Sequence, residues 1–105
     1  MRLRDKVAIV TGAATGIGRA IATEFVREGA AVAVDYVGNS ECADQLVQTL
    51  RAAGGKAVAI AADVSDEQQV QTLVEETVRT FGRIDILVNN AGIEHEYPFL
   101  ETPRA

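Results

Sequence analysis

The sequence is sparing with the residues on which several kinds of chemistry depend. It has one cysteine, one histidine, two lysines, two tyrosines and two serines in 105 residues. A lone Cys42 excludes an internal disulfide. With no basic neighbour to favour its thiolate, Cys42 reads as a packing residue. His95, set between Glu94 and Glu96, has no partners at metal-ligand or catalytic spacing, so no metal site is expected and the histidine reads as part of a loop. No apolar run approaches the ~20 residues of a membrane span. The apolar run behind the basic start, Val7 to Val10, is too short for a signal peptide, which leaves the cytoplasm as the expected compartment. Ten basic residues against fifteen acidic ones give a net charge of −5, and no Lys/Arg cluster offsets it. That balance argues against nucleic acid as a partner.

What is present is a rhythm. Val7 to Val10 is a short apolar run with β-branched residues, as in a buried parallel strand. Ile17, Ile21 and Phe25 then recur every fourth residue, as on one face of a helix that Gly29 would end. Ala31 to Val34 reads as a second strand, Ser40 to Ala53 as a second helix with Leu46, Val47 and Leu50 inward, and Ala57 to Ala62 as a third strand. Ser65 and Gln68 form a capping box for a third helix, which carries Val70, Leu73, Val74 and Val78 to Phe81 and Gly82. Ile84 to Val88 is a fourth strand. The order β-α-β-α-β-α-β with short links predicts a single α/β domain built on a parallel sheet.

The stretch TGAATGIG, residues 11–18, spends three glycines where the first strand meets the first helix. There the helix offers unpartnered N–H groups and a positive pole. Gly12 suits a tight turn, Gly16 lets the main chain approach a phosphate, and Gly18 lets the helix lie close to the strand. A nucleoside-triphosphate loop is excluded, because no Gly-Lys-Ser/Thr closes the stretch. A tight turn without a ligand is the alternative reading of the loop alone. Two further stretches fall at the same sheet edge. Asp63-Val64 ends the third strand, where a carboxylate can accept from an adenine amino group or simply precede a helix. Asn89-Asn90-Ala91-Gly92 ends the fourth, where small residues leave room for a ribose or form an ordinary polar turn.

Taken together, TGAATGIG, Asp63-Val64 and NNAG at 89–92, with the flanks DKVAIVTG and GRIDILVNNAG, resemble the short-chain dehydrogenase/reductase family over nearly the whole chain. The segment NNAGIEHEYPFLET looks most like the glucose 1-dehydrogenases of that family. The resemblance implies a Rossmann-type three-layer fold, with residues 1–92 as an NAD(P)-binding half-domain and 93–105 as an irregular tail that starts a substrate-side loop. It implies that Gly12, Thr15, Gly16, Ile17 and Gly18 wrap the pyrophosphate and nearby ribose, and that Asp63 and Val64 contact adenine. Asn90, Ala91 and Gly92 would line the ribose side, with Asn89 holding strands together. Cofactor choice falls just after the second strand, at Asp35-Tyr36-Val37. The usual NAD-selecting acid falls at Tyr36, and Asp35 sits one place earlier, turned to the other face. Neither Thr15 nor Val37 is basic, so no partner for a 2′-phosphate is in view and NAD is favoured over NADP.

The family's chemistry uses a Tyr and a Lys four residues apart on one helix face, with a Ser to position the substrate oxygen. Here Ser40 follows Tyr36 by four and Glu101 follows Tyr97 by four, while helix starts account for both serines, so no catalytic residue is expected in this chain. The resemblance therefore implies an NAD(P)-dependent oxidoreductase acting on a small alcohol, sugar or carbonyl compound, with full-length relatives forming dimers or tetramers. This chain would be its cofactor-binding part, cut off after the fourth strand and inactive alone. A dinucleotide-binding module without catalysis and a non-functional gene fragment are the alternatives. The fourth strand would then be an uncovered sheet edge.

Overall fold

The computed structural model of the protein describes residues 2–14 and 16–90. Seven elements follow in the expected order. They are β1 (Val7–Val10), α1 (Gly16–Arg27), β2 (Ala31–Tyr36), α2 (Glu41–Ala52), β3 (Lys56–Ala61), α3 (Glu67–Phe81) and β4 (Ile86–Val88). The four strands form one sheet in the order β3-β2-β1-β4, with every pair parallel. The chain steps outward from β1 to β2 and β3, then returns to place β4 on the other side of β1. Ligands of open α/β sheets bind at such a reversal, outside the carboxyl ends of the strands.

The strands carry apolar side chains on both faces because helices cover both. On one face Ala8, Val10, Val32, Val34 and Ala57 pack with Ala22 of α1 and Ala43, Leu46, Val47 and Leu50 of α2. On the other, Ile9 and Ala33 pack with Ala62, just after β3, and with Leu73 of α3. β1 is buried along its whole length. Gly29, at φ 100°, ends α1 as expected, and Gly82, at φ 90°, ends α3 with its N–H donating to the Val78 carbonyl.

Several boundaries and roles differ from the sequence reading. β2 runs two residues further, to Tyr36, and β4 is shorter, starting at Ile86. The cause at β4 is Asp85. Its N–H donates to the Val7 carbonyl at 2.8 Å while its Oδ2 accepts the Val7 N–H at 2.9 Å, so a side chain replaces strand pairing at that position. Ser65 is not the cap of α3. Asp66 is, accepting from the Gln68 and Gln69 N–H groups, while the Ser65 hydroxyl donates back to Asp63 at 2.7 Å. Ser40 stands at the N-cap position of α2 without a side-chain cap bond, and Asn39 instead accepts the Glu41 N–H at 2.7 Å. Cys42 is exposed rather than packed, because Ala43, Leu46, Val47 and Leu50 take the inward face of α2. Val74 and Val78 of α3 are also exposed; Leu73 and Thr77 are the buried residues of that helix.

Candidate functional site at the carboxyl edge of the sheet

Four strand ends and the start of α1 meet at one edge. Gly12 turns the chain out of β1 at φ 59°, and Gly16 opens α1 at φ 61°, both in the left-handed region that favours glycine. Gly18 is buried, and there is no room there for a side chain. A Cβ would collide with the Gly12 carbonyl oxygen, lie 2.6 Å from Asn90 Nδ2 and 2.9 Å from the Ala13 Cα. The closeness of helix to strand that the sequence assigns to Gly18 is therefore present.

The loop is tied to strands on both sides. The Thr11 N–H donates to the Val88 carbonyl at 3.0 Å, and its hydroxyl lies 3.2 Å from that carbonyl and 3.3 Å from Asn89 Oδ1. The amide of Asn90 donates to the Gly12 carbonyl at 3.1 Å. On the β2 side the Ala13 N–H donates to the Asp35 carbonyl at 3.0 Å. Asn89 thus bridges strand ends, as the family resemblance implies. Asn90, read as a ribose-side residue, is fully buried and anchors the loop, with its Oδ1 lacking a partner.

The electrostatics of the edge are uneven. α2 has Glu41 and Asp44 in its first turn and α3 has Glu67, whereas α1 has no acid there. Instead its first turn holds Arg19, exposed and in no ion pair among the described residues. A cation at the positive pole of a helix is unfavourable unless an anion joins it. Arg19 was not singled out from the sequence; the signal was available as a basic residue directly after the last glycine of the loop. Ile17, counted from its spacing among the inward residues of α1, is 57 % exposed beside the loop. Ile21 and Phe25 do pack against the core.

Asp35 and Tyr36 point to opposite faces, as strand alternation requires. Tyr36 is half-buried against the α1/α2 side. Asp35 is 1 % exposed, and its Oδ1 has no partner. Burial pushes its carboxyl up to about 6; the N–H groups of Gly12 and Ala62 work in the other direction, and the nearby charge of Asp63 adds to the rise. Asp63 itself is exposed and held below the usual carboxylate range by the Ser65 hydroxyl and then the Ser65 N–H, which donate to it. Val64 packs against the α3-side core. Thr15, Ala91, Gly92, His95 and Tyr97 lie outside the described residues.

The edge thus joins a glycine turn, a positive helix pole with no acid in its first turn and an added cation, and strand-end amides that brace the turn. Residues 6–105 match the short chain dehydrogenase family. The chain belongs to that family. It is 50 % identical over 100 residues to an uncharacterized oxidoreductase of Methylorubrum extorquens, a stretch that makes up 95 % of this chain and 40 % of that one. The short-chain dehydrogenase/reductase homolog YusS of Bacillus subtilis is 45 % identical over 93 % of this chain and 90 % of its own length. A solved short-chain dehydrogenase/reductase from Serratia marcescens superposes with a TM-score of 0.83 at 43 % identity, over 86 % of this chain and 37 % of that one. Apart from YusS, these relatives are matched over roughly two fifths of their length. Family and fold imply a nicotinamide dinucleotide as cofactor, and the start of α1, with no acid in its first turn, fits its pyrophosphate. Among the described residues no helix is long and apolar enough to cross a membrane.

Proposed function

We propose that this chain is the dinucleotide-binding part of an NAD-dependent short-chain oxidoreductase of the glucose 1-dehydrogenase type. The observation that carries this reading is the start of α1, which lacks an acid, bears Arg19, and is pressed against the β1 turn through Gly18. Backbone N–H groups of residues 16–18 and the helix pole would hold the pyrophosphate, with Arg19 adding charge and Ile17 shielding it from water. The dinucleotide, when bound, supplies the hydride acceptor. This chain's own residues bind and orient it. Thr15, Ala91 and Gly92 belong to the same proposed site through the family resemblance, as does adenine recognition by Asp63 and Val64.

NAD is favoured over NADP because the groups at the end of β2 are Asp35, Tyr36 and Val37, with the charge of Asp63 nearby, and neither Thr15 nor Val37 is a cation that could meet a 2′-phosphate. The glucose-dehydrogenase assignment rests on the segment NNAGIEHEYPFLET. Hydride transfer by this chain alone is not expected, since neither tyrosine is followed four residues later by lysine.

A fluorescence titration with NADH and NADPH tests the proposal. NADH is expected to bind more tightly than NADPH. Ile17→Glu places a carboxylate at the phosphate position on an exposed side chain, so it is expected to weaken NADH by about tenfold or more while leaving the fold intact. Unchanged NADH affinity in a folded Ile17→Glu protein would overturn the proposed pyrophosphate site.

A further inference from the structure

Asp63 follows Ala62, whose N–H donates to the Tyr36 carbonyl at 3.0 Å as the sheet ends. Every polar group of Asp63 but one is committed. Its N–H donates to Gln69 Oε1 at 2.8 Å, and its carbonyl accepts the Asp66 N–H at 2.9 Å. Its Oδ1 accepts twice from Ser65, from the hydroxyl at 2.7 Å and from the N–H at 2.9 Å. Oδ2 is left without a hydrogen bond among the described residues, on an exposed side chain at the carboxyl edge of the sheet.

The start of α3 would account for this turn if Asp63 or Ser65 capped the helix. Neither does. Asp66 takes the Gln68 and Gln69 N–H groups, and its Oδ2 accepts from Gln69 Nε2 at 3.2 Å. That last contact sets the amide of Gln69, whose nitrogen faces Asp66 and whose oxygen is left for the Asp63 N–H. Asp66 and Glu67 also supply negative charge at the helix pole, and such a charge needs no fixed orientation. The Ser65 hydroxyl therefore does nothing for the helix. Its effect is on one carboxylate, which it holds in place and, with the Ser65 N–H, keeps below the usual carboxylate range. An ionised carboxylate accepts hydrogen bonds and donates none.

We propose that Ser65 is a positioning residue for base recognition in the dinucleotide site: it fixes the Asp63 carboxylate with Oδ2 open to the exocyclic amino group of adenine, and so sets a preference for a purine that bears this amino group over one that bears a carbonyl. The inference rests on the dinucleotide reading above. An amino group donates to Oδ2, whereas a carbonyl oxygen in the same place sets acceptor against acceptor. The terminal torsion of an aspartate is soft, so an unheld carboxylate turns away from the carbonyl at little cost. One held by Ser65 does not, and the two purines are told apart.

Fluorescence titrations of the whole chain with NADH and with reduced nicotinamide hypoxanthine dinucleotide, its carbonyl-bearing counterpart, test the inference. The parent is expected to bind NADH about tenfold more tightly than the counterpart. Ser65→Ala is expected to lower that ratio by about threefold or more, and Ser65→Thr, which keeps the hydroxyl, to retain it. A merely structural effect of the serine would weaken both dinucleotides alike and leave the ratio unmoved. Because Ser65 acts through Asp63, Asp63→Ala is expected to bring the ratio to about one, and Ser65→Ala added to it to change nothing more. A preference that survives whole in Ser65→Ala, an equal loss in Ser65→Thr, or a further loss in the double variant overturns the role of Ser65 and leaves adenine at Asp63. A parent that binds the two dinucleotides equally, or an Asp63→Ala protein that keeps the preference, overturns adenine recognition by Asp63 and the role of Ser65 with it. A parent that binds neither overturns the dinucleotide site as a whole.

Discussion

Between the N–H groups of Gly12 and Ala62, the carboxyl of Asp35 is buried with one oxygen unpartnered, and its affinity for a proton is raised accordingly. The consequence for stability has a definite sign. The native state holds the proton more tightly than the unfolded chain, so the contribution is full below pH 3.8 and is lost as pH rises through about 6. The span from 3.8 to about 6 corresponds to at most about 3 kcal/mol. Asp63 and Asp85 run the other way: both are held low by hydrogen bonds from neighbours, so they favour the native state at neutral pH and lose that advantage in acid. Asp35→Asn keeps the shape and an acceptor oxygen but removes the charge. It is expected to be about 1–3 kcal/mol more stable than the parent at pH 8 and indistinguishable from it at pH 4, by urea denaturation at the two values. Asp63 and Asp85 are present in both proteins and cancel. A variant less stable than the parent at pH 8 would show that the ionised carboxylate is needed to hold the Gly12 turn.

Elements with strong local signals were legible in the sequence, and their ends were not. The run Val7 to Val10 and the inward residues of α2 lie where their spacing put them, because each is buried on several sides at once. Helix starts were misjudged where two capping residues stand together. Ser65 and Asp66 are neighbours, and the carboxylate takes the N–H groups of Gln68 and Gln69 while the serine turns back to Asp63. At Ser40 the asparagine before it does the work. Asp66→Ala is therefore expected to cost about 1 kcal/mol and Ser40→Ala only a few tenths, read from the shift in urea midpoint. Equal losses would contradict the assignment of caps. At the candidate site, the glycines were legible because a residue without a side chain is itself the mark of a tight turn or a close approach. The burial of Asn90 was not, since a buried amide and a ligand-facing one look alike in sequence. The signal of Arg19, a basic residue directly after the last glycine of the loop, gains its meaning from the lack of any acid in the first turn of α1.

At the scale of the whole molecule the sheet of the described residues has two edges, β3 and β4. Among the described residues β4 pairs only with β1, and Leu87, in register with Ile9 on the α3 side, is 64 % exposed. Val74 and Val78 of α3 add exposed apolar surface. An uncovered apolar edge of this kind invites pairing with another chain. The isolated chain is expected to associate with rising concentration in sedimentation velocity, and Leu87→Lys to reduce that association without lowering the melting temperature appreciably. A parent that stays monomeric at high concentration would show that the edge is covered.

The amide of Asn90 reaches the Gly12 carbonyl across 78 positions of sequence. On the ribosome, β1, β2 and β3 can pair, and Ala13 can tie the turn to Asp35, while the second brace of the turn is still in the exit tunnel. A ligand that needs the fully braced turn is therefore out of reach until residue 90 has been made and has left the tunnel.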